Sequence, residues 1–282
     1  MAQILGGITT SHIPAIGGAI AKEKFQEPYW KSFFEAYGKV HSWLDAVKPD
    51  VAVVVYNDHG LNFFLDKMPT FSIGAARQYR NADEGWGLST VPPFPGFPEL
   101  SWYVIEELVA AEFDITTCQD MVVDHGFVIP MQLLWTHRLK GACPVKLVPV
   151  CVNTVQHPLP NPARCLKLGR AIGEAIASYP EDLKVVVIGT GGLSHQLDGE
   201  RAGFINKDFD LWCMDKIVTN PEAIAEHSIH DLVRLSGAQG VELINWLIMR
   251  GALGEHVEKR HQNYHIPISN TATGVLLLEN AA

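Results

Sequence analysis

Three histidines stand at matching stations in this chain, each a few residues past a short apolar, β-branched run. Residues 3–8 lead into Thr9-Thr10-Ser11-His12, residues 51–56 into Asn57-Asp58-His59-Gly60, and residues 185–188 into Gly189-Thr190-Gly191-Gly192-Leu193-Ser194-His195. In sheets of parallel strands, ligands bind just beyond the carboxyl ends, where loops and helix starts converge. A single histidine there is ordinarily a hydrogen-bonded loop residue. Three at one sheet edge predict an imidazole cluster suited to metal binding or to proton transfer near neutral pH. His125, in Val123-Asp124-His125-Gly126, follows a less regular strand and is a fourth candidate. The other eight (His41, His137, His157, His227, His230, His256, His261 and His265) fall on predicted helices or polar loops, where solvated or capping roles are expected.

A carboxylate completes the pattern. Glu242 lies in residues 240–249, a segment apolar nearly all round, as in a buried helix. A buried carboxylate is expensive unless paired, hydrogen-bonded or bound to a metal. The plainer reading is an anion in a first helical turn, favoured by the helix dipole, and one residue can do both. Two histidines and a carboxylate without cysteine form a facial triad, which leaves positions open on iron(II) for substrate and oxygen. His12, His59 and Glu242 would fill it, with His195 left as an acid or base. The same ligands suit a catalytic zinc, so residue types leave the metal open.

Other motifs are weaker. Gly189-Thr190-Gly191-Gly192 lacks the spacing of a dinucleotide loop and has no following lysine, so it is read as backbone freedom that lets His195 approach the site. Ser11-His12 and Ser194-His195 are adjacent pairs, which do not set a hydroxyl against an imidazole, and no GxSxG elbow is present.

The elements that must position these residues are strands at 3–8, 51–56, 70–73, 115–118, 145–152, 185–188 and 274–278, and helices at 28–47, 99–111, 162–178, 207–218 and 241–249. Almost wholly apolar strands separated by helices predict an α/β fold: a single domain over 1–282 whose central sheet is covered by helices on both faces. The Pro-rich segment 91–98 (VPPFPGFP) is expected to be an ordered surface loop or lid, and nothing resembles a linker or repeat.

Composition narrows the function classes. The formal net charge is −9 and no Lys/Arg cluster is present, which argues against nucleic acid. Only 19% of residues are charged, below the usual value of about 25%, which points to a surface used for subunit contact. No apolar run is long enough for a membrane helix. The first cation is Lys22, without a secretory leader's basic and apolar regions, so the expected location is cytoplasmic. Five cysteines without a CxxC pair are expected to be reduced thiols.

Taken together, GITTSHIPA around His12, VYNDHG around His59, ADEGWG at 82–87, VDHG around His125, GTGGLSHQL around His195, RAGFINKDFD at 201–210, GVELINWLIMRGAL around Glu242 and YHIPISNTATG at 264–274 give the chain a family likeness. It resembles the class III (LigB-type) extradiol ring-cleaving dioxygenases over nearly its whole length, nearest the β chain of the protocatechuate-cleaving branch. The resemblance implies that His12, His59 and Glu242 bind a ferrous ion, Fe(2+), and that His195 is the catalytic acid/base. It also implies that His125 assists catalysis or orients substrate, that Asn57 is a hydrogen-bonding residue beside ligands and substrate, and that Ser269 and Asn270 contact a substrate carboxylate. The implied substrates are O2 and a catechol bearing a ring carboxylate. Protocatechuate is expected first, opened between carbons 4 and 5 to 4-carboxy-2-hydroxymuconate semialdehyde, as in lignin-derived aromatic catabolism; gallate or 2-aminophenol cleavage is the alternative. The implied partner is a small helical α subunit in an α2β2 assembly. From other classes, a zinc-dependent hydrolase on the same ligands or a metal-free binding protein are the competitors.

Overall fold

Alternation of side chains along the central strands divides the interior into two cores. In a computed structural model that describes residues 1–85, 91–136 and 141–281, strand β2 (Val51–Tyr56) turns Val51, Val53 and Val55 to one face and Ala52, Val54 and Tyr56 to the other, all fully buried. Strand β9 (Lys184–Thr190) divides Val185 and Val187 from Val186 and Ile188 in the same way. Such two-sided burial explains the unbroken apolar runs.

The remaining strands are β1 (Gln3–Thr10), β3 (Phe71–Gly74), β4 (Gln78–Asn81), β5 (Phe94–Pro95), β6 (Thr116–Cys118), β7 (Val122–Val123), β8 (Lys146–Val152), β10 (Val257–Ile268) and β11 (Thr271–Asn280). Together with β2 and β9, six of them form one eight-stranded mixed sheet in the order β10-β11-β1-β9-β2-β8-β3-β6, and β5-β4-β7 form a small second sheet. β1, β9, β2 and β8 are mutually parallel, with β9 inserted between β1 and β2. Because Thr10 pairs with Thr190 and Val55 with Gly189, the loops after β1, β2 and β9 leave the sheet at one edge.

One face carries α4 (Pro98–Ala110), α6 (Pro162–Ser178), α7 (Lys207–Thr219) and α10 (Leu243–Ala252). The other carries α1 (Pro14–Ala21), α2 (Pro28–Glu35), α3 (Gly38–Val47) and α5 (His125–Met131). Two short helices, α8 (Glu222–Ala225) and α9 (Ile229–Ser236), complete the set among the described residues. The predicted single α/β domain with helices on both faces is therefore present.

Several expectations are corrected. The helix expected at 28–47 is two helices, interrupted after Glu35 and restarted at Gly38. Strand β10 was not foreseen: it lies at the sheet edge, paired only with β11, and its polar sequence VEKRHQNYHIPI carries no buried apolar run. The segment 91–98 is anchored rather than lid-like, since Phe94 is fully buried, β5 pairs with β4, and α4 starts at Pro98. Trp86 and Gly87 of the ADEGWG segment, and His137, lie outside the described residues. The five cysteines are free thiols, four of them buried. Among the described residues no helix is long and apolar enough to cross a membrane.

Candidate metal centre and active site

The loops after β1 and β2 and the start of α5 deliver three histidines to a common point. One ring nitrogen each of His12, His59 and His125 lies within 4.8 Å of the others, and the His59 and His125 rings stack at 4.0 Å while His12 meets both edge-on. Glu242 reaches the same point from the 3-10 turn Gly240–Glu242 that leads into α10. Its Oε2 is 3.4 Å from His12 Nε2 and 3.9 Å from His195 Nε2, and its Oε1 is 3.5 Å from His59 Nε2. His12, His59, His195 and Glu242, separate in the sequence, are thus brought together, and His125 joins them.

Each of these four imidazoles is tied at Nδ1, which turns Nε2 toward the centre, where His59 Nε2 also meets Asn57 Nδ2 at 3.1 Å. The partners are Thr190 Oγ1 for His12 (3.0 Å), Asp124 Oδ2 for His59 (2.8 Å), Glu84 Oε2 for His125 (2.6 Å) and the Leu193 carbonyl for His195 (2.9 Å). Metal-binding histidines are held this way, because a fixed Nδ1–H sets the tautomer and aims the other nitrogen. Glu242 is held as firmly: Oε1 accepts from Asn57 Nδ2 and Oε2 from the Gly192 N–H, both at 3.1 Å. Asn245, one turn along α10, donates to Asn57 Oδ1 at 3.0 Å.

Two glycines make this possible. Gly191 and Gly192 take positive φ angles of 95° and 51°, and a Cβ on Gly191 would lie 2.7 Å from the Glu242 Cβ. The glycine run, expected to give His195 freedom, instead clears the space that Glu242 occupies.

The electrostatics suit a cation. Burial works against charge on Glu242, but His12 and His59 more than offset it and hold the carboxyl well below its usual range. At His59 burial opposes the imidazolium, yet Asp124 and Glu242 raise its pKa well above the ordinary value. Asp124, also against burial, is pulled down to about 2, chiefly by His59. Burial and the charge of His59 lower the pKa of His125. The donor set passes a further test: His12 Nε2 is buried with no hydrogen-bond partner, an orphan of the sort a metal ion satisfies.

The remaining expected residues divide. Asn57 is fully buried, with its amide engaged by Glu242, His59 and Asn245. Ser269 and Asn270 form the exposed turn between β10 and β11, where the Ser269 N–H donates to the Tyr29 hydroxyl. The next residue, Thr271, bridges to His195, so the turn stands at the rim of the site. Sequence reasoning missed Glu84, Asp124, Thr190 and Asn245. One signal was available: Asp58-His59-Gly60 and Asp124-His125-Gly126 repeat a motif, and both aspartates are buried organisers. Asp58 accepts the N–H groups of Gly60, Leu61, Asn62 and Phe63, while Asp124 caps α5 and holds His59.

Comparison with known proteins gives the family. The family described as the catalytic LigB subunit of aromatic ring-opening dioxygenase matches residues 6–275. A gallate dioxygenase of Pseudomonas putida is 44% identical over 199 residues, covering 71% of this chain and 58% of that protein. A 2,3-dihydroxyphenylpropionate/2,3-dihydroxicinnamic acid 1,2-dioxygenase of Comamonas testosteroni is 32% identical over 187 residues, covering 66% of this chain and 54% of that protein. The chain thus spans little more than half the length of the curated relatives it matches. The crystal structure of an uncharacterized protein from Escherichia coli K12 shares the fold, with a TM-score of 0.59 at 13% identity over 97% of this chain and 99% of that one. With the family match running from β1 into β11 and spanning all five converging side chains, the chain belongs to the LigB family of catalytic subunits of aromatic ring-opening dioxygenases.

Proposed function

We propose that this protein opens the ring of a trihydroxybenzoate or related catechol with dioxygen, outside the vicinal diol, and that its cofactor is ferrous iron held by His12, His59 and Glu242. The observation that carries the reading is the convergence of those three side chains with His195 and His125, each imidazole held at Nδ1 and Glu242 held by Asn57 and the Gly192 N–H. Two imidazoles and one carboxylate leave coordination positions free, as a reaction joining two bound partners needs. Bound there, ferrous iron would supply an electrophilic centre that activates the catechol and dioxygen.

The chain's own residues account for the rest. His195, anchored on the Leu193 carbonyl, presents Nε2 to take a phenolic proton and return it as the ring opens. His125, tied to Glu84, offers its other nitrogen as a hydrogen-bonding partner to the substrate. Thr190 and Asp124 hold the rings of His12 and His59, and burial of His12, His125, His195 and Glu242 excludes water. Ser269 and Asn270, at the rim beside His195, are proposed to meet the ring carboxylate. A small helical α subunit in an α2β2 assembly, and a cytoplasmic site of action, belong to the same proposal; the exposed Phe64 and Leu65, a few residues beyond His59, support a covered surface there.

Gallate replaces protocatechuate as the first substrate, because the relative at 44% identity carries the gallate name. The test is anaerobic ferrous loading followed by oxygen uptake and product absorbance with gallate, protocatechuate and 2,3-dihydroxyphenylpropionate. Gallate is expected to give the highest kcat/KM. A higher value with protocatechuate would return the substrate to the expectation from sequence, and no oxygen uptake with any catechol would reject the activity.

A further inference from the structure

One buried carboxylate near the site has no part in the chemistry above. Asp210, in the first turns of α7, is 1% exposed, and its hydrogen-bond partners are an amide and two hydroxyls rather than a cation. Oδ1 accepts the Ser194 backbone N–H at 2.8 Å, while Oδ2 accepts the hydroxyls of Ser194 at 2.6 Å and Tyr264 at 2.8 Å. Burial pushes its carboxyl up, with the bonds from Ser194 and Tyr264 acting the other way. Such a group is costly to bury, so a carboxylate here calls for a use that a neutral side chain would not serve.

The use follows from peptide geometry. The Ser194 N–H and the Leu193 carbonyl belong to one planar peptide unit and point in opposite directions. Clamping the N–H on Asp210 therefore fixes the direction of the carbonyl, which is the acceptor for His195 Nδ1. An anion on the N–H side also polarises the unit and strengthens the carbonyl as an acceptor. The neighbouring groups of the loop are fastened as well: Gly191 N–H to the Thr10 carbonyl, Leu193 N–H to the Ala272 carbonyl and His195 N–H to the Ser236 carbonyl. The Gly192 N–H is held by Glu242, a proposed metal ligand, so among these fasteners Asp210 is the charged group that stands outside the proposed ligand set.

We infer that Asp210 is a positioning residue for His195, acting through the Leu193–Ser194 peptide to hold the imidazole in the tautomer and direction that present Nε2 to the reacting ring. This rests on the acid/base role proposed for His195. In ferrous-loaded protein, Asp210→Asn is expected to lower kcat by about tenfold or more, with KM within about threefold and iron content unchanged. In a His195→Ala background the same substitution should change kcat by less than about twofold, because the group it acts through is gone. An equal loss in both backgrounds, or no loss in either, would overturn the inference. Should Asp210→Asn fail to fold, Ser194→Ala, which removes one of the three bonds and keeps the N–H, carries the same cycle with an expected loss of about threefold.

Amide hydrogen exchange across residues 191–195 of the metal-free protein separates this inference from the activity itself. Slow exchange in the wild type that becomes fast in Asp210→Asn supports the clamp even if no catechol is turned over. Unchanged slow exchange in the variant would reject it.

Discussion

At His59 two carboxylates face one ring, and the consequence is a competition between a proton and a metal. Asp124 and Glu242 raise the imidazole pKa against the effect of burial, so the metal-free protein gives up that proton at a higher pH than a free imidazole does. An incoming ferrous ion must displace it, so metal affinity should rise with pH until the raised pKa is passed. Stability of the metal-free form moves the other way. A folded-state pKa above the unfolded value gives a contribution that is complete below about pH 6.5 and is lost as pH climbs through the folded value. Thermal melts at pH 6 and pH 9, with and without iron, should therefore show a metal-induced gain that is larger at pH 9; an equal gain at both would remove His59 from the ligand set. Substitutions should separate the roles further. His12→Ala, His59→Ala and Glu242→Ala are expected to lose iron on metal analysis. His195→Gln should keep iron and lose turnover by roughly 100-fold or more, the usual scale for a proton-transfer group.

At the scale of elements, the site depends on a close approach between the loop after β9 and the start of α10. Gly191→Ala sets a methyl group against the Glu242 Cβ and places a side chain at φ 95°. The expected cost is about 1–3 kcal/mol in urea denaturation, with reduced iron occupancy measured on the same samples. How much of this was legible in the sequence depended on the element. His12, His59 and His195 could be read because central parallel strands are buried on both faces and so announce themselves as apolar runs whose ends share an edge. Glu242 could be read because a carboxylate in an apolar helix requires a partner. Glu84, Thr190, Asn245 and Asp210 could not, since each earns its role through a hydrogen bond to a residue far along the chain. Strand β10 escaped for a related reason: an edge strand needs no continuous apolar run, and its pairing with β11 is a fact of the folded sheet.

Across the whole molecule, the proposed metal centre joins the loops after the first and second strands and the turn before α10, so an ion bound there would tie distant parts of the chain together. Anything that binds only the folded state stabilises it, by about 2.7 kcal/mol at a free concentration 100 times Kd. Chelation of a ferrous-loaded sample should lower Tm by roughly 5 °C for a domain of this size; an unchanged Tm would mean that the ion sits elsewhere or binds weakly. The sheet order carries a last implication. His12 and His59 follow strands that are not neighbours, because β9 lies between them. While the chain emerges from the ribosome, these two imidazoles have no common scaffold until residues 184–190 slot into place, and Glu242 arrives later still. The proposed ligand set is therefore complete only after residue 242 has been made and the central sheet has closed around β9.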